Sequence, residues 1–375
     1  MHKNSKIAIN ATFTHENPTG LGVYTDELVR ELLKAECDFD FTVYSSSTYL
    51  KNLYPNRVTR VSPYTSPDFG LKGHLIRLLW QQTILPFKLR MQKASLLYSA
   101  VSEGILSHHR KQTITVHDFL PIKYPESCPK MKYYFYYSLP PLLNNSQAII
   151  CTSENTKQDI ITYHGIKGKP IYVIHGGINR QRFYPRRSGT VQKLYGLTNY
   201  LLYIGDMRPY KNLEKSLEAF ARLNLREIKF VIGGKKDPRF YPRVKKKVDE
   251  LFLKDRVVFL GYVHEENLPY LYSEAAAFVF PSLYEGFGLP PLEAMACGCP
   301  VVASNAASLP EVCGDAAYYV NPYDVESISK GMYEVLMDDK LTQNLIGKGL
   351  ERVKLFSWEK AAKEHLKVFE EVLNS

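Results

Sequence analysis

The chain has 375 residues, 45% of them hydrophobic and 23% charged, which is too long for one ordinary domain and enough to bury two cores. No apolar run reaches membrane-spanning length, the opening MHKNSKIAINATF lacks a long hydrophobic leader, and the six cysteines show neither CxxC nor zinc-type spacing, so a reduced cytoplasmic protein is expected. The net charge of +10 is uneven: residues 1–187 carry 24 Lys/Arg against 13 Asp/Glu, a net of +11, and the rest 24 against 25, a net of −1, so the first half should meet an anionic surface or substrate.

In chain order, KIAINA, FDFTVYS, ASLLYSA, QTITVHDF, QAIICTS and PIYVIHGG read as strands, separated by helix-length amphipathic stretches. A second series follows: YLLYIGD, IKFVIGG, RVVFLGY, AAFVFPS, PVVAS and AAYYV. Near-continuous apolar strands alternating with helices predict parallel sheets covered on both faces, hence an α/β chain with two doubly wound domains. The basic stretch NRQRFYPRRSGT, residues 179–190, has no apolar period and marks the break. The expected domains are 1–180, with a C-terminal helix over 357–375 packing back on it, and 181–356. Ser357 is the expected N-cap of that helix. Ligands of open parallel sheets bind beyond the carboxyl ends of the strands, so the chemistry should lie in the loops there, in a cleft between the domains.

Several loops carry candidate chemistry. NPTGLGVYTDELVREL follows the first strand, and its Gly20 and Gly22 fit either a plain tight turn or a close approach to a phosphate. CDFDFTVY holds Asp38-Phe39-Asp40, a superficial match to a metal-binding DxD, which reads as a loop feature before the second strand and implies no metal. GHLIRLLWQQTILPFKLRMQK, residues 73–93, fits an interfacial element on an anionic membrane and, equally, an ordinary helix buried against the sheet. His117 and Asp118 stand at the end of a strand, where a histidine serves structure or chemistry. In GDMRPYKNL, Arg208 and Lys211 put two cations at the strand end marked by Gly205, as a diphosphate leaving group requires.

In PSLYEGFGLPPLEAMACG, Gly286 and Gly288 leave backbone N–H groups at a helix start, an anion site. Pro291 suits the first helical position, Gly298 the stop, and Glu293 the first turn. Carboxylates accept hydrogen bonds from a vicinal diol with both oxygens. Glu285 and Glu293 flanking an anion site therefore fit a diphosphate with a diol at each end, a nucleotide sugar.

With these residues in view, GDMRPYKNL, GYVHEENLPYLY and PSLYEGFGLPPLEAMACGCPVVAS…LPEV resemble the C-terminal domain of retaining glycosyltransferases of family four. The spacing Glu285-x7-Glu293 matches that family's E-x7-E motif, and the likeness extends through SENTKQDIITYHGI to the last helix. The resemblance implies the GT-B fold, two Rossmann-like domains facing across a cleft. It implies that Glu285 contacts the donor hexose and that Gly286, Phe287, Gly288 and Leu289 support sugar and phosphate. By the same resemblance Glu293 holds the ribose, Arg208 and Lys211 neutralise the diphosphate, and the backbone around Val263 meets the nucleobase. It also gives Gly20 and Gly22 a place near the donor phosphates and His117 a role in positioning sugar and acceptor. Tyr210 stands where many relatives carry Arg or His, a departure beside the cation pair.

The expected activity is a metal-independent retaining hexosyl transfer without a cofactor. The donor is a nucleoside-diphosphate sugar, GDP-mannose first by likeness to bacterial mannosyltransferases of polysaccharide assembly, with UDP-glucose-type donors next. The expected acceptor is a saccharide or lipid-diphosphate-linked glycan, with peripheral contact of the basic half at the inner membrane face and no nucleic-acid partner. Attack from the front face with a diphosphate oxygen taking the proton competes with a double displacement on Glu285. A nicotinamide enzyme would need a fuller glycine fingerprint. A non-catalytic sugar-nucleotide-binding protein would be expected to lose Glu285 or Lys211.

Overall fold

Runs rich in Ile, Val, Leu and aromatic residues form strands that are buried on both faces, and parallel sheets alone ask for such runs. The computed structural model describes residues 5–14, 20–107 and 111–375 and builds two all-parallel sheets from them. The first contains β1 (Ser5–Asn10), β2 (Phe39–Ser45), β3 (Val58–Arg60), β4 (Leu96–Ser99), β5 (Gln112–Val116), β6 (Ala148–Cys151) and β7 (Ile171–Val173), in the order β3-β2-β1-β4-β5-β6-β7. The second contains β8 (Tyr200–Ile204), β9 (Lys229–Gly233), β10 (Val257–Gly261), β11 (Ala277–Phe280), β12 (Val301–Ser304) and β13 (Ala317–Val320), in the order β10-β9-β8-β11-β12-β13. All twelve expected strands are present, and β3 is additional. Three residues ending in exposed Arg60 carry no apolar run that sequence reading could find.

Both sheets reverse direction beside their first strand, between β1 and β4 and between β8 and β11. At such a switch point the flanking loops diverge to opposite faces and leave a crevice at the carboxyl ends. The compact units are one that runs to Gly177 and takes back Trp358–Ser375, and one that is Ile178–Ser357. The Trp358–Asn374 helix repeats apolar residues at helical spacing and buries Trp358, Ala361, His365, Phe369 and Val372. Trp358 meets Tyr24 of the Leu21–Lys34 helix edge-on at 5.3 Å. The helix starts directly after Ser357, where the N-cap was expected.

The Gly70–Gln92 helix buries Trp80, Leu85 and Leu89 in the apolar core and, beside them, a polar cluster. Its inner face carries His74, Arg77 and Gln81, all buried, and all three reach the buried Glu103. Arg77 grips that carboxylate with Nε at 2.7 Å and Nη2 at 2.8 Å, and Nη1 donates to the Thr65 carbonyl. Burial pushes the Glu103 carboxyl up, but the Arg77 charge and the hydrogen bonds outweigh it and hold the group far below the usual carboxylate range. The outer face shows Leu71, Leu75, Leu79, Phe87 and Met91, each exposed by 42% or more. One face is thus that of an ordinary helix buried against the sheet, and the other is exposed. Among the described residues no helix is long and apolar enough to cross a membrane.

Candidate active site

The loops after β8 and β11 flank the switch point of the second sheet, and they bring together the residues that spacing singled out there. After β8 the chain passes through Gly205, where a Cβ would lie 2.7 Å from the Tyr203 hydroxyl oxygen, and Asp206. Gly234, at the end of β9, approaches so closely that its own Cβ would fall 1.8 Å from the Gly205 carbonyl oxygen. Backbone therefore lines this end of the sheet, with Lys235 and Lys236 exposed just beyond it. Val263, after β10, is buried in the core, and a Cβ on Gly233 would come within 2.9 Å of its side chain.

The two cations of the β8 loop are held differently. Arg208 is about one-third exposed and pairs with Asp206 at 3.0 Å. Lys211 is buried, sits 5.0 Å from the ring centres of Tyr210 and Phe280, and places Nζ 2.7 Å from Glu285 Oε1. The aromatic residue that departs from the family pattern therefore forms part of the lysine's cage, where a ring face favours a cation. Glu285 was expected to meet hexose hydroxyls; in this structure one of its oxygens takes the lysine, whose ammonium has three hydrogens to share.

Buried side chains hold the Glu285 loop in shape. Asn212, in the left-handed region at φ 64°, donates through Nδ2 to the carbonyls of Pro281 and Pro322 at 3.0 and 2.7 Å. Ser304 donates to the Ser282 carbonyl, and the Leu283 N–H donates to the Tyr210 carbonyl, tying one loop to the other. The Ser308 hydroxyl lies 2.9 Å from the Glu285 carbonyl and 2.5 Å from that of Phe287, and its one hydrogen is shared between them. In a trans peptide the N–H points opposite to its carbonyl. Ser308 thus turns the N–H groups of Gly286 and Gly288 away from itself, toward the other side of the loop. Sequence reading missed Asn212, Ser304 and Ser308. Ser308, standing before LPE, signals a helix cap, but its hydroxyl caps no helix here.

The helix beyond the loop runs Leu289–Ala296, with Gly288 as N-cap at φ 134°. Pro290 and Pro291 are thus its second and third residues, and Glu293 its fifth, which corrects the expectation of Pro291 at the first position and Glu293 in the first turn. The helix starts earlier because Gly288 adopts a backbone conformation closed to other residues; a Cβ there would meet Leu309 at 3.0 Å. Gly298, at φ 70°, does end the helix. Glu293 is half-buried, and its Oε2 accepts from the Tyr272 hydroxyl at 2.9 Å. Burial raises its carboxyl to about 7, against the opposing pull of that hydrogen bond and of the Arg182 charge.

In the first unit, Gly20 caps the Leu21–Lys34 helix at φ 37° with open space around it, and Gly22 is buried inside the helix. Asn17, Pro18 and Thr19 of the same motif lie outside the described residues. His117 follows β5 and is buried; its Nε2 donates to the Ala100 carbonyl at 2.8 Å, and Tyr24 packs on it edge-on at 4.5 Å. Burial lowers it to about 4, with the Ala100 bond pulling the other way. The ring is therefore neutral, and with Nε2 engaged only Nδ1 or a ring edge can meet a ligand. Asp40 belongs to strand β2 rather than to a loop before it. Among the described residues no three His, Cys, Asp or Glu gather as a metal-holding group.

Two family models cover the chain almost end to end: Glycosyltransferase Family 4 matches residues 18–182 and Glycosyl transferases group 1 matches residues 190–352. The chain is 30% identical to the O-antigen chain mannosyltransferase B of Escherichia coli, over 94% of this chain and 96% of that one. It is 33% identical to the O-antigen chain mannosyltransferase RfbU of Salmonella typhimurium, over 59% of this chain and 61% of the other. Among solved structures, a sucrose-phosphate synthase from Thermosynechococcus elongatus superposes with a TM-score of 0.78 at 22% identity, covering 99% of this chain and all of that one. Anabaena HepE, solved with UDP and glucose, gives 0.74 at 17% identity, over 98% of this chain and 100% of its own. These last two likenesses concern the fold, which is GT-B.

Proposed function

We propose, for a chain that belongs to glycosyltransferase family 4 and is a glycosyltransferase, that it moves a hexose from a nucleoside-diphosphate sugar to a saccharide or lipid-linked acceptor in polysaccharide assembly. Mannose from GDP-mannose is the first candidate, UDP-glucose-type donors the next. The observation that carries this reading is the Lys211–Glu285 pair at 2.7 Å beside the Gly286–Gly288 backbone and the start of the Leu289–Ala296 helix. A departing diphosphate develops charge that Lys211, Arg208 and the loop N–H groups are oriented to stabilise. Lys211 need not leave Glu285 to do so, since one ammonium can serve a carboxylate and a phosphate together.

Transfer proceeds with retention and without a metal, by front-face attack, a diphosphate oxygen taking the acceptor proton. The ion pair supports this over a double displacement: a carboxylate whose oxygen is bound to an ammonium is a weaker nucleophile for the anomeric carbon. Capture of a glycosyl–enzyme on Glu285 would refute it. A thermal-shift and hydrolysis screen over GDP- and UDP-sugars, repeated with Glu285→Gln and Lys211→Ala, tests the site. Either substitution lowers transfer at least ~100-fold, the scale of losing one charge-stabilising group; near-normal rates in both overturn the assignment.

The acceptor is lipid-linked in this reading, and the outer row of the Gly70–Gln92 helix rests on the anionic membrane that carries it. The row is flanked by exposed Lys72, Arg90 and Lys93, and residues 70–93 contain no acid. Apolar insertion and basic flanks together mark an interfacial helix, each cation adding about 1 kcal/mol near an anionic surface. Co-sedimentation with vesicles containing 30% phosphatidylglycerol is the measurement. Leu79→Glu combined with Phe87→Glu lowers binding about tenfold or more; unchanged binding removes the helix from the interface.

A further inference from the structure

Glu293 stands in an unusual setting for a group assigned to a ribose. Its carboxylate is half-buried, and Tyr272, which supplies its hydroxyl, is fully buried in the Leu268–Glu274 helix. Tyr272 is fixed on both sides: its ring packs edge-on against Phe278 of β11 at 5.3 Å and against Phe183 at 6.3 Å. With the ring so held, the hydroxyl donates to Glu293 Oε2 at 2.9 Å. The charged and titratable groups around Glu293 are Tyr272, Arg182, Glu265 and Cys297. Arg182 is itself committed to Glu265 at 2.6 Å, so its charge is largely answered before it reaches Glu293. Among the described residues Tyr272 is the one direct hydrogen-bond donor on this carboxylate.

Resting on the site reading above, we infer that Tyr272 is a positioning residue for donor binding: its hydroxyl orients Glu293 and favours its ionised form, so that the carboxylate can accept both hydroxyls of the donor's ribose diol. A protonated carboxyl has a hydrogen of its own and loses an acceptor site, so it cannot take both diol hydrogens. Donor affinity should then depend on one ionisation. The sign follows from the cause. Burial raises Glu293 to about 7 in the empty site, so the ionised form prevails only above that pH. Accepting the diol favours the ionised form, so donor binding expels a proton and strengthens as pH rises through about 7. A donor hydrogen bond to the ionised form lowers the midpoint; removing it moves the midpoint up.

The experiment uses the full chain and two probes, GDP-mannose and UDP-glucose, the tighter-binding one being carried forward. Their diphosphates are esterified at both ends and do not titrate between pH 5.5 and 8.5, so any proton linkage belongs to the protein. Dissociation constants are measured by calorimetry over that range. The wild type should lose about tenfold in affinity per unit below its midpoint, the limit for one proton. Tyr272→Phe should keep full affinity at the alkaline end and shift the midpoint up by about one unit, the scale of one hydrogen bond to a charged group. Site-specific replacement of Tyr272 by 3-fluorotyrosine, a stronger donor of nearly the same volume, should shift it down, which keeps the inference testable where Tyr272→Phe folds poorly. Unmoved midpoints in both variants overturn the role of Tyr272. The reading of Glu293 fails separately, if Glu293→Gln binds as the wild type does or if the 2′-deoxyribose analogue of the probe retains the acid limb.

Discussion

The two units share one winding order at their switch points and furnish them in opposite ways. In the first sheet, the ends of β1 and β4 are joined by neutral groups: Asn10 Nδ2 donates to Ser99 Oγ, and its Oδ1 accepts from the Thr12 hydroxyl. His117, close by in sequence to the end of β5, is neutral and bonded to the Ala100 carbonyl. In the second sheet the same position carries Lys211 with Glu285 and Arg208 with Asp206. The first unit does own a buried ion pair, Arg77 with Glu103, but spends it beneath the Gly70–Gln92 helix. One topology therefore places paired charge in two settings, beneath a helix in the first unit and at the switch point in the second, where the proposed function gives it an anion to meet. Location, not residue type, separates them.

Breaking the structural pair should produce the largest effect. Glu103→Ala leaves the Arg77 guanidinium buried without its bidentate partner, a loss of about 3–5 kcal/mol of stability. Denaturant unfolding measures it, and a change under 1 kcal/mol would show that the cluster is not structural. Lys211→Ala should shift the balance, costing less stability than Glu103→Ala because the Lys211 and Glu285 side chains keep 10% and 14% of their exposure, while transfer falls ~100-fold or more, about 2.7 kcal/mol of transition-state stabilisation. A large loss of stability there would erase the contrast. The smallest expected effect is the pH slope that one buried histidine of the first unit contributes. His117 and His365 are both lowered to about 4, chiefly by burial. The unfolded state then binds more protons than the folded one between about pH 6.5 and 4, and stability is lost as pH falls through that window. The slope approaches about 1.4 kcal/mol per pH unit for each histidine. His117→Gln should lower it by about that amount, and an unchanged slope would mean that His117 titrates normally.

What the sequence disclosed divides along physical lines. Parallel strands need long apolar runs, so twelve of the thirteen strands among the described residues stood out, and only β3, with three residues, did not. Charged residues at strand ends and around a Gly-Phe-Gly turn stand out in the sequence, Arg208 and Lys211 after one strand and Glu285 and Glu293 across the turn after another. The residues that brace them were not visible. Ser308 and Asn212 act on carbonyls far away in sequence, 21 to 110 positions off, and nothing local marks a serine or asparagine for that work. The start of the Leu289–Ala296 helix was misplaced for a related reason. Two prolines predict a first turn, but the unusual backbone angle at Gly288 decides where that turn begins.

The contact between Lys211 and Glu285 also bears on which anions the site ignores. An unpartnered buried lysine would capture chloride, sulfate or inorganic phosphate from any buffer. A lysine already paired at 2.7 Å gives a small anion little reason to enter, because its charge is answered by Glu285 and the rings of Tyr210 and Phe280 stand beside it. A ligand must bring enough further contacts to make sharing that ammonium worthwhile, as the donor of the proposed function would at both of its ends. Discrimination against the abundant small anions is thus built into the resting site, before any sugar or base is read.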